Sequence, residues 1–276
     1  MAVLDHVPAP TEVPLWRILE AISTGEVRPH YQPIVSLTSG EMVAVEALAR
    51  WTIPETGTMP AALFVPVLER CRRVTDLTAF MLDRACADLA SWQADCPLRA
   101  GFRVAINVSA TELADGRLAA LVREALAQHH VSARSICIEV TETAKVDDMV
   151  LAGNVLAELV TGIGVRLALD DFGTGFADGE YLETFPFDTV KIDRSFVDGM
   201  GSRDDHAAFV RATVGYARRR SMGVVAEGVQ HRHQAAALLS AGCSVGQGFG
   251  LGMPCPAEEI LERWIPPCTR TRSTEL

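Results

Sequence analysis

The chain has 276 residues, 49% of them hydrophobic and 22% charged, and carries a formal net charge of −10. That composition excludes a disordered chain, and the acidic balance argues against a protein that grips long nucleic acid by its backbone. No apolar run is long enough to span a membrane; the stretch from Val150 to Leu169 comes closest and is interrupted by Glu158 and Arg166.

The N-terminal "MAVLDHVPAPTEVP" lacks the basic and apolar regions of a signal peptide. Residues 1–14 read as a loose arm, 15–265 as one domain and 266–276 as a tail. The seven cysteines (Cys71, Cys86, Cys96, Cys137, Cys243, Cys255 and Cys268) are scattered and form no C-x-x-C pair. Most read as small buried apolar residues of a reduced protein, so a cytoplasmic location is expected.

"HYQPIVSL" is strand-like, "TSGE" is a turn, and "MVAVEALARW" is a second strand, so the three together predict a hairpin. Residues 62–92 have apolar spacings of three and four and predict helix, with a break after Arg73. Strand "FRVAINVS", helix 110–128, strand "SICIEVTE", helix 146–161 and strand "VRLALDDFG" follow. After a short crossover come strand "TVKIDRSF", helix 203–220, strand "GVVAEGV", helix 231–241 and strand "SVGQGFGLG". Strands alternating with helices point to a parallel β/α architecture. About eight strands in this length fit a TIM-type barrel, with a doubly wound open sheet as the alternative.

Polar residues close the apolar runs at Glu46, Asn107, Glu139, Asp170 with Asp171, Lys191, Glu227 and Gln247. After the first interval they recur every 20 to 36 residues, the length of one β/α unit. Each therefore belongs near the C-terminal end of a successive strand, and in a barrel those ends converge on one mouth. Carboxylates joined by an amide oxygen suit a hard cation, Mg²⁺ or Mn²⁺, and not zinc or copper. A single acid in such a place is usually a helix cap or a solvated loop residue, but seven in register are harder to read that way. "GTGFADG" has the wrong spacing for a dinucleotide loop, and neither G-x-x-x-x-G-K-[ST] nor G-x-S-x-G occurs. The seven histidines fall mostly in loops or helices, where a surface role is the simpler reading. Arg218, Arg219 and Arg220 end a helix, where cations suit the dipole.

Taken together, "YQPIV", "VEALARW", "FVPVLE", "INVSA", "IEVTE", "LDDFGTGF", "VKIDRSFV", "VAEGV" and "QGFGLGMP" resemble the EAL-domain family of cyclic-di-GMP phosphodiesterases, from about Tyr31 to Pro254. The resemblance implies a modified TIM (β/α)8 barrel whose first strand is antiparallel, and hydrolysis of cyclic di-GMP to linear pGpG by two-metal activation of water. It implies that Glu46, Asn107, Glu139 and Asp170 hold one metal, with Asp170 bridging to a second served by Asp171 and Glu227. Lys191 corresponds to the residue that holds the attacking water; Gln32, Arg50 and Gln247 correspond to substrate-binding positions, and Glu142 to a loop anchor. A homodimer and a regulatory protein partner are compatible with the same family. So are two other functions, a catalytically silent receptor for the nucleotide and a protein-interaction module. Three positions depart from the family pattern: Phe176-Ala177-Asp178-Gly179 replaces Tyr-Ser-Ser-Leu, Gln230 replaces a glutamate, and Arg72 stands where glycine is common.

Overall fold

A tight turn makes the first two strands antiparallel. In the computed structural model β1 (Val27–Ser36) and β2 (Met42–Ile53) are joined by a turn in which Gly40 takes a left-handed φ of 75°. So short a connection permits no parallel crossover. The structure describes residues 13–53, 57–96, 98–114, 116–141, 148–174, 180–200 and 203–264. The loose arm and the tail read from the sequence lie almost wholly outside them.

The remaining strands are β3 (Gly57–Pro60), β4 (Arg103–Val108), β5 (Ile136–Thr141), β6 (Arg166–Phe172), β7 (Thr189–Ile192), β8 (Gly223–Ala226) and β9 (Val245–Gln247). From β2 through β4 to β9 every neighbouring pair is parallel, and β1 closes the barrel antiparallel to both β2 and β9. The fold is thus a modified TIM barrel with an antiparallel first strand, and the open-sheet alternative is excluded by closure. β3 lies outside the ring, on the free edge of β2.

Why the strands read as unbroken apolar runs is visible in β5, "ICIEVT". Ile136, Ile138 and Val140 face outward into the main hydrophobic core under the helices. Cys137 and Glu139 alternate with them and face the barrel axis. β4 and β6 do the same, so Ala105, Cys137 and Ala168 form a small buried cluster of their own inside the barrel. Each inward strand therefore carries a small residue below and a polar one above, and the polar layer lies toward the mouth.

The helices are α1 (Leu15–Thr24), α2 (Val65–Arg70), α3 (Val74–Asp95), α4 (Leu118–His129), α5 (Met149–Ala157), α6 (Glu180–Thr184), α7 (Arg194–Asp198), α8 (Asp204–Arg219), α9 (Arg232–Ser240) and α10 (Ala257–Trp264). The break after Arg73 stands as expected. The helix expected over 110–128 is in fact two pieces, a 3₁₀ turn Ala110–Ala114 and α4, with Gly116 in a left-handed conformation between them. α5 continues as a π turn, Glu158–Ile163. The strand expected through Phe196 stops at Ile192, because Asp193 caps α7 by accepting from the Ser195 amide at 2.9 Å. Helices α1, α6, α7 and α10 and strand β3 add to the elements expected from the sequence.

Arg72 explains the family's glycine at this position. It joins α2 to α3 with φ 54°, and its amide and that of Arg73 cap the α2 carbonyls of Glu69 (2.9 Å) and Leu68 (2.7 Å). A side chain in this region costs roughly 1–2 kcal/mol, and glycine returns about 0.4–1 kcal/mol of that to the unfolded chain. Arg72→Gly is expected to raise stability by about 0.5–1 kcal/mol in urea unfolding; a loss of stability would show that the arginine carries an interaction worth more than its strain.

Candidate metal centre

At the centre of the barrel mouth stands Lys191 of β7, only 1% exposed. Its Nζ lies 2.7 Å from Glu139 Oε2, 2.7 Å from Glu227 Oε1, 3.1 Å from Asp170 Oδ1 and 3.2 Å from Glu46 Oε2. These residues come from β7, β5, β6, β2 and the residue after β8, so the convergence expected of successive strand ends is realised. Glu46 differs in one respect: it sits in the middle of β2, because that strand runs on past the rim, paired with β1 and β3.

Glu46 is also the best-connected acid. Its Oε1 accepts from Asn107 Nδ2 (2.6 Å) and its Oε2 from Gln247 Nε2 (2.7 Å). The same Gln247 amide donates to Gln32 Oε1 (3.1 Å), and Gln32 Nε2 donates to the Gly252 carbonyl (3.2 Å). Gln32 is placed there by register, since it lies directly opposite Glu46 in the hairpin.

Neighbouring strand residues point to opposite faces, yet Asp170 and Asp171 both serve this mouth. Asp171 has φ 54°, and the β6–β7 register slips between Leu169 and Phe172. The kink breaks the alternation, and the Asp171 amide donates to Asp170 Oδ1 at 3.0 Å. Oxygens of Glu46, Glu139 and Asp170 then lie within 4.8 Å of one another, and so do oxygens of Asp170, Asp171 and Glu227. Two three-carboxylate groups sharing Asp170 are an all-oxygen donor set that fits hard divalent cations.

Burial dominates the electrostatics. It raises the carboxyls of Asp170 and Glu139, even with Lys191 pulling them down. Glu227 rises to about 8 through burial against the pull of Lys191, and Asp171 to about 6 through burial and the Asp170 charge beside it. Glu46 alone falls: burial opposes its charge, but Lys191, Gln247 and Asn107 outweigh that penalty. Burial works against the Lys191 charge, yet Asp170, Glu139, Glu227 and Glu46 hold it well above the usual lysine value.

These directions predict a pH effect. Between their ordinary values and their raised ones, Glu227 and Asp171 bind protons in the folded chain and not in the unfolded one, so stability falls as pH rises through that range. His30, held low mainly by burial, acts in the opposite sense, whereas the raised carboxyls of Glu139, Asp170 and Asp88 act with Glu227 and Asp171. The melting temperature of chelator-treated protein is expected to fall from pH 5 to 8, and saturating Mg²⁺ to remove the fall by replacing the protons. Parallel melting curves with and without the ion would contradict the site.

Arg50 stands four residues beyond Glu46 on β2 and is not drawn into the acid cluster; its Nη1 donates to the Ala49 carbonyl at 3.0 Å. Glu142 and the loop Ala177-Asp178-Gly179 lie outside the described residues. Two cavities flank the acids. One, of about 290 Å³, is lined by Gln32, Glu227, Gln247, Arg194 and Phe249 among others. The other, of about 430 Å³, is mostly apolar, with Leu48, Pro66, Leu77 and Met81 in its wall, and it too reaches Glu46, Asp170 and Asp171. Sequence reasoning assigned no role to Arg194 or Phe249. Phe249 had a signal, an aromatic between two glycines, and it is 61% exposed; Arg194 had only its place two residues after the Ile192 strand end.

Such a barrel, with two linked oxygen clusters around a buried lysine at its mouth, defines an α/β barrel protein with an acidic site that could hold metal ions. A family model described as "EAL domain" matches residues 16–254, and the chain belongs to the EAL-domain family. It is 36% identical over 242 residues to the bifunctional diguanylate cyclase/cyclic di-GMP phosphodiesterase MucR of Pseudomonas aeruginosa, covering 88% of this chain and 35% of that protein. It is 39% identical over 241 residues to an uncharacterised signalling protein of Caulobacter vibrioides, covering 87% of this chain and 29% of the relative. The chain thus spans about a third of the length of the curated relatives it matches. The solved structure of the PaMucR phosphodiesterase in complex with c-di-GMP superposes with a TM-score of 0.83 at 35% identity, covering 90% of this chain and 99% of that one. The EAL enzyme Bd1971, in its cAMP- and cyclic-di-GMP-bound form, gives 0.83 at 28% identity, covering 89% and 66%. No helix among the described residues is long and apolar enough to cross a membrane.

Proposed function

We propose that this chain hydrolyses cyclic di-GMP to linear pGpG with the aid of two divalent cations, Mg²⁺ or Mn²⁺. The observation that carries the reading is the pair of carboxylate groups joined through Asp170. Glu46, Glu139 and Asp170, with the Asn107 amide, would hold one ion; Asp170, Asp171 and Glu227 would hold the other. When bound, such a pair of ions lowers the pKa of a shared water and neutralises the charge of the phosphodiester.

The chain's own residues do the rest. Lys191 keeps an ammonium at the centre of the acids, where it can donate to a water and offset negative charge as that water attacks. Gln247 fixes Glu46, Gln32 accepts from the same Gln247 amide, and both border the smaller cavity, which supports a role for them in binding the substrate phosphate. Arg50 would reach the nucleotide from the rim of β2, which requires it to release the Ala49 carbonyl. The apolar cavity offers a wall for a base, excluding water from its faces. Glu142 is proposed to anchor the loop after Asp171. The acid and amide set is complete, which favours an enzyme over a silent receptor. A homodimer and a regulatory partner are proposed on the family's pattern alone, and a cytoplasmic location on the scattered cysteines.

The test is incubation of pure protein with cyclic di-GMP, with Mg²⁺, with Mn²⁺ and with chelator, followed by nucleotide separation. Formation of pGpG only in the presence of an ion supports the reading. Intact cyclic nucleotide bound tightly under every condition would establish the receptor instead.

A further inference from the structure

Below the acid layer the barrel is not filled. TIM-type barrels usually fill this interior with bulky branched side chains; here Ile34, Val225 and Val245 supply one wall, but Ala44, Ala105, Cys137 and Ala168 supply the other and leave a cavity of about 200 Å³. It opens away from the acid mouth, beside Arg99 and Arg103, and its inner end is Lys191 with Glu139. Arg103 Nε is buried there without a hydrogen-bond partner among the described residues. The cost of burying an N–H of a charged group unpaired is large, so an acceptor that reaches the Arg103 guanidinium is favoured. The nearby acid Asp188 is already taken by Arg166, at 2.5 Å. At the inner end Lys191 is shared by Glu139, Glu46, Asp170 and Glu227, so an acidic group would sit at the outer end, by Arg103 and Arg99.

We propose that this underside cavity is a second binding site, for a small organic anion: an apolar body among the alanines and an acidic group on Arg103. The volume is below that of drug-sized pockets, which limits the ligand to roughly the size of a single-ring carboxylate. Lys191 and Glu139 belong to both this cavity and the metal centre, so an anion beneath the ammonium competes with the acids above for it. Slower turnover at unchanged nucleotide affinity then follows; that consequence rests on the hydrolytic reading, whereas the binding does not.

Binding is tested with the full chain in chelator, by calorimetric titration with benzoate and with benzyl alcohol as its neutral counterpart. Saturable binding of benzoate is expected, weaker by roughly tenfold or more for benzyl alcohol and for Arg103→Gln. Arg103→Lys should recover part of the loss, and Ala168→Leu, which fills the space, should abolish binding while the melting transition persists. Equal affinity for the acid and the alcohol, undiminished binding by Arg103→Gln or Ala168→Leu, or a wild type that takes up only water and no benzoate would overturn the site. None of these outcomes depends on whether cyclic di-GMP is hydrolysed.

Discussion

Replacing Glu46 by alanine is expected to lower turnover of cyclic di-GMP by on the order of a thousandfold or more and to leave the barrel folded. Glu46 is the acid on which the most partners converge: Asn107, Gln247 and Lys191 all donate to it. Its loss removes one oxygen ligand and also frees the two amides that its carboxylate orients. The fold survives for an electrostatic reason. Glu46 is one of four carboxylates crowded around a single ammonium, so removing it relieves repulsion. That relief offsets the roughly 1–3 kcal/mol for leaving a donor without its acceptor. The checks are steady-state hydrolysis, titration with Mn²⁺ and thermal unfolding of Glu46→Ala and Glu46→Gln. Near wild-type turnover in either variant would remove Glu46 from the metal centre.

Lys191→Ala is expected to separate chemistry from binding. An ammonium that orients water and offsets developing charge acts more in the transition state than in the bound complex, so kcat should fall by about 10²–10⁴ while nucleotide affinity changes little. The same substitution should strike stability in the ion-free protein. Four buried carboxylates lose their shared counter-charge, and breaking a buried pair from one side costs about 3–5 kcal/mol. Divalent cations should restore most of that loss, because they can neutralise the same oxygens. Measured melting temperatures with chelator and with Mg²⁺ would show a large gap in the variant and a smaller one in the wild type. A tenfold loss of nucleotide affinity with kcat preserved would make Lys191 a substrate contact instead.

Much of this site was legible before the fold was known. Glu139 and Asp170 stood out because an acid inside an otherwise apolar run is costly, and strands buried on both faces make such runs. The β/α spacing then carried Asn107, Glu139, Asp170, Lys191, Glu227 and Gln247 to one end of a barrel. What spacing could not reveal was set by backbone geometry. The left-handed Asp171, which turns two consecutive carboxylates to one mouth, has no signature beyond its neighbour Gly173. The extension of β2 beyond Glu46 depends on pairing with β1 and β3, which are tertiary contacts. The interruption at Gly116 was hidden by apolar residues that continue at helical spacing on both sides of it. The space under Lys191 was likewise invisible, since alanine and cysteine in a strand read as ordinary core until neighbouring strands are seen to set them side by side.

The most direct test of the account is a single-turnover reaction of the protein with cyclic di-GMP in oxygen-18 water, with Mg²⁺ or Mn²⁺ present and the products weighed by mass spectrometry. With water as the nucleophile at an ion-loaded acid cluster, linear pGpG carries one heavy oxygen on its newly freed phosphate, and chelation stops the reaction. Recovery of unlabelled pGpG, equal turnover in chelator, or cyclic nucleotide that stays intact with either ion would contradict it.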